Sequence, residues 1–150
     1  TLGRFVDFYG FCAKRFADRD MMDNYYNLLT CKKIRNASAH NNCILNDLKA
    51  RTSTNVTNAS ITAKLMTIQG MNMNFRKNRM SNARIQQIVI LFYLHKTMVE
   101  SDGIRKAAED ELQKLMGRVN KHQEYYLSNS MISSTFNFLK LVVDNWFKTA

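Results

Sequence analysis

The sequence predicts an all-α fold, a bundle of about five to seven helices, and three observations carry that reading. Proline is absent, where average usage would give about seven in a chain of this length. Glycine occurs only 5 times in 150 residues, too few for the many tight turns a sheet protein needs. Apolar residues recur at helical spacing in several long segments. A length of 150 residues suits one domain with a single core, and residues 1–150 are expected to form one.

Leu2, Phe5, Val6, Tyr9, Cys12 and Phe16 mark a first helix from Leu2 to Phe16. The chain opens on Thr1 directly before it, which suggests a piece of a longer protein whose N-terminal part is missing. Asp18, Arg19 and Asp20 form a polar break. Met21 to about Lys49 is expected to be helical, as one helix or as two meeting near Thr30. Arg51 to Thr57 is a β-branched, polar loop. A short helix from about Ser60 to Gln69 stops at Gly70, a residue suited to a left-handed cap. Met71 to Asn78 is a polar, basic connection to which no element is assigned.

Ser81 to about Val99 carries the strongest signal. Its apolar run from Ile88 to Leu94 leaves the helix apolar nearly all round, as expected at the centre of a bundle. Ile104, Ala108, Leu112, Leu115 and Val119 give an amphipathic helix. Phe136, Leu139, Val142, Val143, Trp146 and Phe147 give a last one. The 9 methionines and 9 phenylalanines are read as core filling. No run approaches the ~18 apolar residues of a transmembrane helix, so no membrane association is expected. Three cysteines without paired spacing suit a reducing compartment, and the expected location is cytoplasmic.

The formal net charge is +10. It is concentrated: between Asp47 and Glu100 there is no acidic residue, while Lys49, Arg51, Lys64, Arg76, Lys77, Arg79, Arg84 and Lys96 fall inside that window. Such a single-sign field attracts polyanions, and RNA phosphates are the expected ones. Arg76, Lys77, Arg79 and Arg84 are the candidate phosphate contacts. An ordinary solvated basic face accounts for the same charge.

Histidine occurs only at positions 40, 95 and 122. His95 is read as a satisfied core residue, and His122 as a cation at a helix C-terminus. Cys31, His40 and Cys43 match no zinc-ligand spacing, so neither metal nor cofactor is expected. His40 differs because of its neighbours, Arg35-Asn36-Ala37-Ser38-Ala39-His40-Asn41. At 100° per residue, Ile34, Ser38, Asn41, Leu45 and Leu48 fall on one side of a helix, and Arg35, Asn36, Ala39, His40 and Cys43 on the other. A hydrogen bond between Asn36 and His40 is expected at this i,i+4 spacing. Arginine and histidine together suit cleavage of RNA by its own 2′-hydroxyl. A neutral imidazole takes the hydroxyl proton, and a guanidinium opposes charge on the phosphate.

The string Arg35-Asn36-x-x-Ala39-His40-Asn41 resembles the signature of the HEPN ribonuclease superfamily, in the form found in Abi-like (abortive-infection) proteins. Thr1 to Tyr9 is similar to the stretch those proteins carry ahead of the motif. Arg79 to Gln86 is similar to their basic segment before a central helix. The resemblance implies a helical bundle that dimerises through the motif helix, giving a composite, metal-independent endoribonuclease site used in antiviral defence. Related pairs serve RNA-guided CRISPR effectors. By position it makes Arg35 and His40 the catalytic pair and Asn36 the accessory residue. A homodimer is therefore expected, with a two-fold axis near Ala39 and both His40 side chains in one cleft. Two other readings remain open: a basic module that holds a structured RNA without cutting it, and a motif kept only as a dimer interface.

Overall fold

The computed structural model describes residues 1–148. Among them, seven α-helices and a 3₁₀ turn occur and no strand. They are α1 (Leu2–Phe16), α2 (Arg19–Ala39), α3 (Ala59–Met66), α4 (Met73–Met80), α5 (Ala83–Met98), α6 (Asp102–Lys121) and α7 (Ser130–Trp146), with the 3₁₀ turn at Gln123–Tyr125. None is long and apolar enough to cross a membrane.

Side-chain caps set most helix starts. Asp18, Asn58, Asn72, Asn82, Ser101 and Asn129 each accept a backbone N–H of the first turn, satisfying donors that have no intrahelical partner. Asn72 is the reason that α4 begins where it does, within a segment to which residue spacing assigns no element. Its Phe75 then packs edge-on against Phe138 of α7, with ring centroids 5.6 Å apart. The burial of Phe75 against the core, rather than propensity, holds this short helix in place.

The core gathers around α5, which packs on α2, α4 and α7. Ile85, Val89, Ile90 and Leu94 of α5 are buried with Ile61, Leu65, Phe138, Val142 and Val143. Burying each such side chain stabilises the fold by about 1.5–3 kcal/mol. α1 lies against α2 through Val6, Gly10 and Ala13. Gly10 is required there, because a Cβ at that position would stand 2.5 Å from the Tyr25 ring.

The remaining face of α1 corrects the expectation that phenylalanine fills the core. Phe5, Phe8, Phe11 and Phe16 are 48–71% exposed. α2 covers the Val6–Gly10–Ala13 stripe and leaves these rings on the exposed side. An exposed apolar patch of this kind marks an interaction surface more often than an accident of composition.

Candidate functional site

The segment expected to be helical to Lys49 ends ten residues earlier. Asn41 adopts a left-handed conformation (φ +52°), its N–H donates to Ser38 O at 3.0 Å, and Asn42 N–H donates to Ala37 O at 3.0 Å. This pair of bonds is a Schellman closure, with asparagine in the place glycine usually takes. Asn41, Cys43, Leu45 and Leu48 therefore do not continue the face assigned to them on a helical wheel. Ala37 is buried with Ile34 on the core side of α2 and Ser38 is exposed, the reverse of the side expected for Ser38. The signal that located this stop was present as His40-Asn41-Asn42, since asparagine tolerates the left-handed region.

Arg35, Asn36, Ala39 and His40 are all exposed, at the carboxyl end of α2. Arg35 Nη1 donates to Asn36 Oδ1 at 3.1 Å. The expected side-chain bond between Asn36 and His40 does not form. Asn36 instead accepts His40 N–H through its backbone oxygen at 3.1 Å, because His40 is the residue that closes the helix. Among the described residues the His40 imidazole has no hydrogen-bonding or ionic partner. Cys31 lies in the core, where burial pushes its thiol up to about 11, whereas Cys43 lies on the surface.

The four basic candidates between residues 76 and 84 divide differently from the expectation. Lys77 is exposed. Arg76 is 8% exposed. Arg79 turns into the bundle, with Nη1 donating to Thr135 Oγ1 at 3.0 Å and to Met131 O at 3.4 Å. Burial holds its guanidinium below the ordinary arginine value. Arg84 is half-buried and donates to Gln87 Oε1 at 3.1 Å. Of the four, only Lys77 is exposed, while Arg76 and Arg79 are held in the bundle and Arg84 lies at its edge. Arg79 adds a polar tie between α4 and α7 to the packing of Phe75.

The same α4–α5 corner holds residues that charge counting passes over. Residues 40–58 contain no regular element, and segments of that length inside a compact fold are most often functional. Asn82, 1% exposed, anchors this one: its Nδ2 donates to Asp47 O at 2.9 Å and to Lys49 O at 2.8 Å. Its Oδ1 accepts Arg84 N–H and Ile85 N–H. Gln86, 2% exposed, donates to Asn55 O and Thr57 Oγ1 and accepts Ser53 Oγ–H at 2.6 Å. A helix cap and a polar residue one turn later thus fix the loop as a strap.

Between this strap and α2 runs a groove of about 1250 Å³. Tyr26, Asn27, Thr30, Lys32, Lys33 and Asn36 line its α2 side, and residues 54–60 line the other. Asn36 stands in both the groove and the Arg35–His40 cluster. The groove therefore reaches the motif.

No family model matches this chain, and neither a curated protein nor a solved structure matches it.

Proposed function

We propose that the chain is a HEPN-type, metal-independent endoribonuclease of antiviral defence, acting as a homodimer. The observation that carries this reading is the outward cluster of Arg35, Asn36 and His40, in which the imidazole is unpartnered and the guanidinium is steadied by Asn36. In the reaction, the 2′-oxygen bonds to the neighbouring phosphorus and the phosphorus–5′-oxygen bond breaks. His40 takes the 2′-hydroxyl proton, and Arg35 faces the charge that develops on the phosphoryl oxygens. The departing 5′-oxygen requires a proton, and His40 of a second copy supplies it. The products are a 2′,3′-cyclic phosphate and a 5′-hydroxyl.

Two features support pairing of copies. Ala39 is a small exposed residue beside His40, which lets a second surface approach. The uncovered phenylalanines of α1 begin next to the motif end of α2, since Gly3 faces Lys32 Nζ. An isologous contact would set the same patch against itself. His40→Ala should lower cleavage of labelled RNA by ~10²–10⁴-fold, with melting unchanged. Full activity in that variant, or activity in the parent that EDTA abolishes, contradicts the proposal.

A further inference from the structure

We infer that the groove between α2 and the strap is the substrate-binding site for single-stranded RNA, with one base stacked on Tyr26 and hydrogen-bonded by Asn27. This rests on the ribonuclease reading, because the groove ends at Asn36. Asn27 supplies the key observation. It is 6% exposed, and its Nδ2 is buried with no hydrogen-bond partner. An unpaired buried donor is costly, and such groups in folded proteins call for a specific explanation. Asn27 lies where the groove meets a second, smaller depression, so it lines both. An acceptor on a nucleobase edge entering the groove would give the amide the bond that the fold withholds.

The surroundings fit one strand and not a duplex. Tyr26 is 59% exposed on the groove wall, one residue before Asn27, and offers a ring face for stacking. Bases stack on protein rings only when they are not already stacked and paired in a helix. Asp20 and Asp23 stand beside Arg19 toward the start of α2, where carboxylates accept from exocyclic amino or ring N–H groups. Lys32 and Lys33 stand toward its end, where they attract phosphates. Asn27 and Asn36 are nine residues apart, roughly 14 Å along the helix at 1.5 Å per residue. Asn27, Lys32, Lys33 and Asn36 all line the groove, so a strand with a base held at Asn27 has the lysines and the Asn36 end of the groove within reach.

Binding is measured by fluorescence anisotropy of a short labelled RNA, in the His40→Ala background so that the probe stays intact. Tyr26→Ala should weaken binding about fivefold or more. Asn27→Leu should weaken it roughly twofold to tenfold while the melting temperature holds or rises, because leucine removes the orphaned donor. A purely structural asparagine would show the opposite pair, with lower melting and unchanged binding. Lys32→Gln with Lys33→Gln should flatten the log–log salt dependence by about 0.7 per lysine. A duplex of the same sequence should bind more weakly than the single strand. If the parent cleaves RNA but none of these changes alters affinity or KM, the groove inference falls and the ribonuclease reading stands. If the variants weaken binding while the parent cuts no RNA, the ribonuclease reading falls and the groove stands. Equal binding of duplex and single strand overturns the inference.

Discussion

Two polar clusters with similar side chains are used in opposite ways. The end of α2 presents arginine, asparagine and histidine to solvent, with Arg35 bonded to the Asn36 side chain and the His40 imidazole without a partner among the described residues. The α4–α5 corner holds arginine, asparagine and glutamine inside the protein, and nearly every hydrogen-bonding atom of Asn82 and Gln86 is matched. Satisfied groups rigidify; unsatisfied groups at a surface remain able to meet a ligand. The more strongly basic segment is therefore the structural one, and the less basic cluster is the candidate for chemistry.

The sharpest test of that contrast is a deletion at the buried cluster. Asn82→Ala removes a helix cap and leaves the oxygens of Asp47 and Lys49 without their donor, so about 2–4 kcal/mol of stability should be lost. Chemical denaturation measures it. Arg35→Ala, at the open cluster, should stay within about 0.5 kcal/mol of the parent, as expected of an exposed side chain. Equal losses would erase the distinction between the clusters.

A smaller effect separates the basic residues of α4. Arg79→Met should cost about 1–2 kcal/mol by cutting the tie to Thr135, with little change in the salt slope of RNA binding. Lys77→Gln should do the reverse, leaving stability intact and lowering the slope by about 0.7. Thermal melts paired with salt titrations distinguish them.

The smallest expected effect concerns His95. Burial, and then the nearby Arg105, hold its imidazole below the ordinary histidine value. Its ring lies against Phe147, and Lys64, Lys96, Arg105, Glu109 and Lys148 share the same depression. The unfolded chain takes up a proton near pH ~6.5, before the folded one does. Stability should thus be level above that pH and decline as pH falls below it, down to the depressed folded value. His95→Gln should flatten this part of the profile relative to the parent. Melting across that pH range would reveal the difference.

Most helices were legible in the sequence because their apolar residues recur at the helical period and their caps are Ser, Asp or Asn. α5 and α7 follow directly from the spacing of Ile85, Val89 and Leu94 and of Leu139, Val142 and Trp146. α4 was not legible, since Met73–Met80 has too few apolar residues to show a stripe, and its formation depends on Asn72 and on packing of Phe75 against α7. The end of α2 was misread for a related reason. Leu45 and Leu48 continue the spacing of Ile34 by coincidence, and periodicity carries no record of a residue such as Asn41 that reverses the chain.

For the candidate site, the sequence by itself determined which residues carry suitable chemistry: Arg35, Asn36 and His40 in one short string. It determined the all-α class as well, through missing proline and repeated apolar spacing. Only the tertiary structure decided which of the cations face outward, because direction depends on what each helix packs against. It alone decided that the loop forms a strap, since Asn82 and Gln86 meet backbone oxygens 31–35 residues away. And it alone exposed the orphaned Asn27 donor, because whether a polar group has a partner is a property of the surroundings the fold builds and not of the residue.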